Sequence, residues 1–129
     1  MSDRLPRWNL DSIYPGVKSR EFLDDIEKSR KLAAELTELA ADGRASVLEL
    51  IERSDYLSAL VTTYYAYASC LLSTDTSSPD YIAAMSMAED GAIAANEAEN
   101  SLIHSLKDRT DEFDAPDLQK YSLRLSEIR

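Results

Sequence analysis

The 129-residue sequence is poor in the residues that shape turns and in those that most often build chemical sites. Three glycines and four prolines are too few for the many turns of a sheet protein, so the composition favours helices. A single cysteine excludes an internal disulfide framework and fits a reducing compartment, so we expect a cytoplasmic protein. One histidine cannot supply the paired histidines of a hydrolytic zinc site, and three scattered glycines cannot form a phosphate-binding loop.

Basic residues are also scarce, since 14 lysines and arginines face 24 acids and give a net charge of −10. Nucleic acids and anionic membranes both require a basic surface, so we expect neither as a partner. The first ten residues contain no apolar stretch typical of a signal peptide. Residues 56–74 carry no charge, but ten of these nineteen side chains bear hydroxyls, which does not suit a lipid-facing helix. We predict a helix there that is enclosed by protein on most sides.

The first long helix is predicted from Ser19 to Ala41. Ser19 is a suitable N-cap, and Gly43 suits the left-handed position that follows a helix end. A buried stripe is predicted from residues spaced alternately by four and three: Phe22, Ile26, Ser29, Ala33, Leu36 and Ala40.

The second helix is predicted from Ser46 to about Ser73 and begins with the capping pair Ser46 and Glu49. We expect it to be the central helix of a bundle. One of its faces is apolar and consists of Leu50, Leu57, Leu60, Val61, Tyr64, Ala68 and Leu71.

The third helix is predicted from Pro79 to Lys107, with Ser78 as its cap and proline in its first turn. Its small side chains should let a neighbouring helix approach closely, and the tyrosines of the second helix are the bulky complement. Because glycine costs about 1 kcal/mol in a helix interior, we expect a contact or a bend at Gly91. The small residues are Ala83, Ala84, Ala88, Gly91, Ala92, Ala94, Ala95 and Ala98.

Part of a fourth helix is predicted at the end of the chain, with Asp114 as its cap and Pro116 in its first turn. The sequence stops at Arg129 without a capping signal, which favours a truncated helix over a natural, frayed terminus. In a truncated domain the apolar stripe should be exposed or covered by a second copy. That stripe consists of Leu118, Tyr121, Leu125 and Ile128.

Few side chains are candidates for chemistry. His104 lies four residues before Asp108, which predicts a surface pair or a rim histidine, with a metal ligand as the less favoured alternative. Cys70 stands in an apolar stretch and is predicted to be a buried, inert thiol. We predict no catalytic, cofactor-binding or metal-binding residue in this chain.

The tyrosines of the second helix allow two interpretations. Packing against the alanine-rich third helix is the ordinary one. The other is that Tyr64, Tyr65 and Tyr67 line a peptide-binding channel. A stacking platform for nucleic acid is disfavoured because no basic groove accompanies the rings.

Residues 1–18 form a predicted strap over the bundle, with large apolar anchors. Within it, Trp8-Asn9-Leu10-x-x-Ile13-Tyr14-Pro15 is similar to the W-[DN]-L-x-x-[IL]-Y-P opening of the oligoendopeptidase F family of zinc metallopeptidases, which are thimet-oligopeptidase-like. Two later stretches resemble the same family in order and spacing: Tyr65-Ala66-Tyr67-Ala68-Ser69 and Ser73-Thr74-Asp75-Thr76.

The resemblance implies an N-terminal helical region that forms a wall of an internal channel for short peptides. It also implies that the partner is the C-terminal catalytic domain of the parent hydrolase, where a HExxH motif and a further glutamate bind zinc. This sequence contains no HExxH, so residues 1–129 alone should neither bind catalytic zinc nor cleave peptides, and zinc is expected only for the parent.

Together these observations predict an all-α protein: an antiparallel bundle of three long helices at residues 19–129, with the strap and part of a fourth helix. We expect the N-terminal, substrate-channel-forming domain of an oligoendopeptidase F-like peptidase. The alternative is a self-contained helical interaction or dimerisation module without enzymatic activity. It would form a homo-oligomer through an exposed apolar stripe, either residues 22–40 or the stripe of the fourth helix.

Overall fold

Three long helices account for most of the fold in a computed structural model, which describes residues 13–122 and 125–126. They are α1 (Arg20–Asp42), α2 (Val47–Thr74) and α3 (Pro79–Leu106). Each helix packs against the other two. Because the loops between them have only four residues each, consecutive helices run antiparallel. The predicted all-α bundle is therefore confirmed.

The helix starts lie where capping side chains stand in the sequence. The hydroxyl oxygens of Ser19, Ser46 and Ser78 accept hydrogen bonds from backbone N–H groups three residues later, at 3.2, 3.0 and 3.3 Å. Each bond satisfies a donor that the first helical turn leaves without a partner. At the end of α1, Gly43 adopts φ 76°, the left-handed conformation that glycine tolerates best.

All six stripe residues predicted for α1 are buried. On α2, Leu50, Leu57, Tyr64 and Ala68 of the predicted face are buried, and the remaining three are half-buried. The prediction that α2 is central and enclosed on most sides is wrong. One long side of α2 is exposed, because three helices can cover each other only on their inner faces.

The core consists of two clusters stacked along the bundle. One lies near the loop between α1 and α2 and is mainly aliphatic, built around Leu36, Leu50 and Leu102. The other lies at the opposite end and is aromatic, with Phe22, Tyr64 and Tyr67 against small residues of α3.

The end of the chain differs from the prediction. The chain first forms two short 3-10 helices, Lys107–Glu112 and Pro116–Tyr121, and the described residues that follow, Ser122, Leu125 and Ser126, are α-helical. Ala115 stands at the N-cap position of the second, one residue after the predicted cap at Asp114.

This end segment folds back onto the bundle. Its apolar residues Leu118 and Leu125 are each only 2% exposed and belong to the aliphatic cluster, and Tyr121 is half-buried. Ile128 lies outside the described residues. The expectation that this stripe is exposed is therefore wrong for Leu118 and Leu125. The proposed dimer stripe at residues 22–40 is likewise buried within the chain.

Of the strap, the structure describes residues 13–18, while Trp8 and Leu10 lie outside the described residues. Ile13 is exposed, but Tyr14 is buried at 3% exposure. In the described part of the chain, no helix is long and apolar enough to cross a bilayer.

Candidate functional site

Tyr14 holds the strap against the aromatic end of the core. Its ring meets the rings of Phe22 and Tyr67 edge-on, with centroids 5.3 and 4.9 Å apart. Its hydroxyl donates to a carboxylate oxygen of Asp25 at 2.6 Å, and its carbonyl accepts from the Tyr67 hydroxyl at 3.4 Å. Burial, with the neighbouring carboxylate, raises the pKa of Tyr14 well above its ordinary value.

Tyr64 connects all three helices. Its hydroxyl lies 2.7 Å from the hydroxyl of Ser29 on α1, which also donates to the carbonyl of Ile26 at 2.7 Å. The same tyrosine reaches α3 at Gly91, where a side chain would collide with it. Burial raises the pKa of Tyr64, although the bond to Ser29 opposes the rise.

The three tyrosines proposed to line a channel do not share one surface. Tyr64 and Tyr67 are fully buried among the helices, at 0 and 2% exposure. Tyr65, one position away on the helix, lies on the other side and is 38% exposed. The sequence-based packing of tyrosines against small residues of α3 is confirmed for Tyr64 and Tyr67.

The exposed side of α2 carries no charged residue from position 56 to position 73. We call it the neutral face and define it as the exposed residues of α2 from position 56 to 73. They are Tyr56, Ser58, Ala59, Thr62, Thr63, Tyr65, Ala66, Ser69, Cys70 and Ser73. Acids stand at its two ends, Asp55 before it and Asp75 after it.

The neutral face is less polar than its composition suggests. The hydroxyls of Thr63 and Ser73 donate to backbone carbonyls four residues earlier, at 2.8 and 2.9 Å. Each hydroxyl thus turns towards its own helix and leaves carbon atoms on the outside. At the first end, Lys28 of α1 donates to the Tyr56 hydroxyl at 2.5 Å and lies 5.1 Å from that ring's centroid.

A groove of about 380 Å³ runs between α2 and α3 beside the neutral face. Small and aliphatic residues form its floor, including Leu57, Val61 and Ala95. At one end the buried Ser54 hydroxyl donates to the carboxylate of Glu99. This volume is at the small end of ligand-binding clefts, which span about 300–1,000 Å³.

The remaining candidate side chains are isolated. Cys70 is exposed, so the prediction of a buried thiol is wrong; its apolar neighbours in sequence point to the other side of the helix. His104 is exposed near the end of α3, as a surface or rim histidine would be. Among the described residues, no group of three or more histidine, cysteine and acidic side chains is arranged to hold a metal ion.

Sequence reasoning missed the neutral face as a surface, although its signal was visible in the charge-free stretch of residues 56–74. Because this stretch lacks charge and its many hydroxyls do not suit lipid, the sequence predicts a helix enclosed by protein on most sides. A surface that another protein covers can also lack charge, because the cores of interfaces are depleted of charged residues. Chemically, this face offers van der Waals contact and a few hydrogen-bonding groups.

Comparisons with protein-family models, with curated proteins and with solved structures find no match for this chain.

Proposed function

We propose that this chain is the non-catalytic, substrate-enclosing N-terminal helical region of an oligoendopeptidase F-like zinc metallopeptidase that acts on short peptides. Catalysis and zinc would belong to a C-terminal domain of the parent protein. The helices described above would supply a wall of the peptide channel.

One observation carries this proposal: two of the three stretches that resemble the family meet in space. Tyr14 of the strap motif and Tyr67 of the aromatic stretch are 53 residues apart in sequence, yet their rings are in edge-on contact at 4.9 Å. These two stretches thus pack against each other, and this contact supports the proposal.

Asp75 of the third stretch also has a structural role. One carboxylate oxygen of Asp75 accepts from the backbone N–H of Ser77 at 3.1 Å and from its hydroxyl at 2.7 Å. These bonds hold the pKa of Asp75 below its ordinary value. They close the turn that aligns α2 with α3, so the strap, the tyrosines and the turn belong to one supporting framework.

Within this proposal, Tyr65 is the tyrosine of the three that could touch a peptide. Tyr64 and Tyr67 would act from the interior, by fixing the spacing of the helices. Of the three tyrosines, we therefore propose a channel-lining role for Tyr65 alone.

The decisive test is the nucleotide sequence beyond the codon for Arg129. A continuation in the same frame that encodes HExxH supports the proposal, and a stop codon at that point overturns it. The protein made from the longer frame should cleave short quenched fluorescent peptides and lose this activity with a zinc chelator. Residues 1–129 alone should show no cleavage, and tight one-to-one zinc binding by them would contradict a non-catalytic role.

A self-contained interaction module is the second candidate function, and one observation favours it. Leu118 and Leu125 pack into the core of this same chain. The described bundle thus buries these two residues of its end segment in its own core, as an independent module would. A stop codon directly after Arg129 would favour this alternative.

A further inference from the structure

The groove between α2 and α3 combines an apolar floor with two acids. Leu57, Val61 and Ala95 give it an aliphatic floor. Asp55 and Glu99 also line it, and the other described lining residues carry no charge. A ligand in this groove would therefore contact carbon atoms along most of its length and carboxylates at the remaining positions.

Both acids lie at the same end of the groove. The buried Ser54 hydroxyl of α2 donates to the Glu99 carboxylate of α3, so position 54 stands beside position 99. Asp55 follows Ser54 on α2, and its carboxylate therefore belongs to the same end. A carboxylate has about four acceptor positions, so Glu99 can accept further donors besides this hydroxyl. This end is thus suited to a cation that carries several donors.

We propose that the groove binds the side chain of a lysine in a peptide, with its aliphatic stem along the floor and its ammonium group at Asp55 and Glu99. The inference concerns residues 1–129 themselves. It does not rest on the proposed function, because it holds equally for a self-contained module.

The two parts of a lysine side chain match the two parts of the groove. Its four-carbon stem packs well on apolar surface, while its ammonium group remains at a charged, hydrated position. The three N–H donors of the ammonium can bond to both carboxylates. A volume of about 380 Å³ is at the small end of binding clefts and suits one side chain with its flanking backbone.

The rim of the groove favours a peptide as the source of the amine. Ser58 and Thr62 on α2 and Asn96 on α3 line the groove and are exposed. Their hydroxyl and amide groups can both donate to and accept from the amides of a peptide backbone. A polar rim around an apolar floor is typical of sites that bind proteins and peptides.

Charge complementarity favours a basic peptide over a neutral or acidic one. The chain has a net charge of −10, and Glu89 and Glu97 are exposed on α3 near the groove. Such a field attracts cations, speeds their association and repels anionic peptides. Because exposed ion pairs contribute little to affinity, we expect a dissociation constant on the order of 1 mM.

An NMR titration of the 129-residue chain tests the proposal. The probe is a pentapeptide with blocked ends that has one lysine between four alanines. The backbone amide signals of Ser58, Ala95 and Asn96 should shift and saturate. Acetylation of the lysine keeps the stem and removes the charge, so this peptide should bind about fivefold more weakly. A peptide with diaminopropionic acid keeps the charge on a one-carbon stem, and it should also bind more weakly because it cannot reach the acids from the floor.

Three variants separate the groove from the general negative charge of the protein. Glu99→Gln and Asp55→Asn each remove one carboxylate of the acidic end and should weaken binding of the lysine peptide about fivefold. Glu97→Gln is the matched control, because it changes the net charge equally at an exposed residue of α3 outside the groove lining. It should leave the dissociation constant within about twofold of the wild-type value.

Three outcomes would each overturn the proposal. One is the absence of a saturable shift at peptide concentrations up to about 10 mM. Another is equal binding of the lysine and acetyl-lysine peptides. The third is an equal loss of affinity in Glu97→Gln and in both groove variants, which would mean diffuse attraction by net charge. The reading frame beyond Arg129 does not enter this test, so this proposal and the proposed function can fail separately.

Discussion

The hydroxyl of Tyr64 on α2 lies in the space that a side chain at Gly91 of α3 would occupy. A Cβ atom built on Gly91 falls within contact distance of that hydroxyl oxygen and lies 3.0 Å from the ring carbon that bears it. Tyr64 cannot easily withdraw, because its ring is fully buried and its hydroxyl is bonded to Ser29. The absence of a side chain at Gly91 therefore allows these two helices to meet at this distance.

We expect Gly91→Ala to lower the free energy of unfolding by about 1–3 kcal/mol through overpacking. This loss should appear although alanine favours a helix by about 1 kcal/mol over glycine. Gly16→Ala is the control, because no atom lies within 4 Å of a Cβ added there. Urea denaturation of the three proteins measures the effect.

Removing the Tyr64 hydroxyl should relieve the clash. Tyr64→Phe alone should cost about 1 kcal/mol from the lost hydrogen bond. The double variant Tyr64→Phe/Gly91→Ala should lose less free energy of unfolding than the two single variants added together. The reason is that Tyr64→Phe removes the hydroxyl oxygen that the alanine side chain would meet. Additive losses would show that the collision is not with Tyr64.

Because the pKa of Tyr14 is raised in the folded chain, we expect the protein to lose stability at high pH. Its pKa is raised in the folded chain by burial and by Asp25, so the folded state holds this proton more tightly than the unfolded state does. The stabilisation is complete below the ordinary tyrosine pKa of about 10 and is lost as the pH rises above it. The melting temperature of the wild type should fall between about pH 10 and 11.5 more steeply than that of Tyr14→Phe. Tyr65→Phe, which removes an exposed hydroxyl, should keep the wild-type slope.

Because the end segment is buried, we expect Leu125→Ala to lower the free energy of unfolding strongly. Leu125 is 2% exposed within the aliphatic cluster, so we expect a loss of about 2–5 kcal/mol. Leu23→Ala removes the same atoms from a residue that is 40% exposed and should cost about 1 kcal/mol or less. Equal small effects in thermal denaturation would mean that the end segment does not support the core.

Arg109 is predicted to hold the first 3-10 helix in position. Its guanidinium donates to both carboxylate oxygens of Glu112, at 2.7 and 2.8 Å, and to the carbonyl of Ala45 at 2.7 Å. Lysine cannot make the paired hydrogen bonds of the guanidinium, so Arg109→Lys should lower the free energy of unfolding by about 1–2 kcal/mol. Chymotrypsin should then cleave faster at Phe113. Arg44→Lys, at an exposed pair with Asp42, is the control and should leave cleavage unchanged.

The contact between Arg109 and Glu112 also makes the stability of the protein depend on pH in the acidic range. Hydrogen bonds from Arg109 lower the pKa of Glu112, so this stabilisation is present above the ordinary glutamate value of about 4.3 and is lost as the pH falls through the folded pKa. Arg109→Lys should therefore show a shallower loss of stability on acidification than the wild type.

Local signals in the sequence predicted most of the helical framework correctly. The caps at Ser19, Ser46 and Ser78 and the left-handed Gly43 depend on backbone groups within a few residues. The stripe of α1 was predicted in full because its apolar residues stand out against charged neighbours. Where a helix begins, where it ends and which side is apolar are short-range properties, and the sequence records them directly.

The side of α2 that stays exposed could not be predicted in the same way. Its residues lack charge on every side, so periodicity offers no contrast between Tyr64, which is buried, and Tyr65 or Cys70, which are exposed. The end of the chain posed a similar problem, because the burial of Leu118 and Leu125 depends on a core built from all three helices.

By itself the sequence determined that this protein is helical, acidic and built on three capped helices, because those properties follow from propensity, charge and spacing along the chain. Tertiary structure alone decided that Tyr64 meets Gly91, that Tyr14 meets Tyr67 and that α2 keeps a neutral side open. Such contacts join residues tens of positions apart, and they depend on how closely whole helices approach each other, which packing sets and local spacing does not.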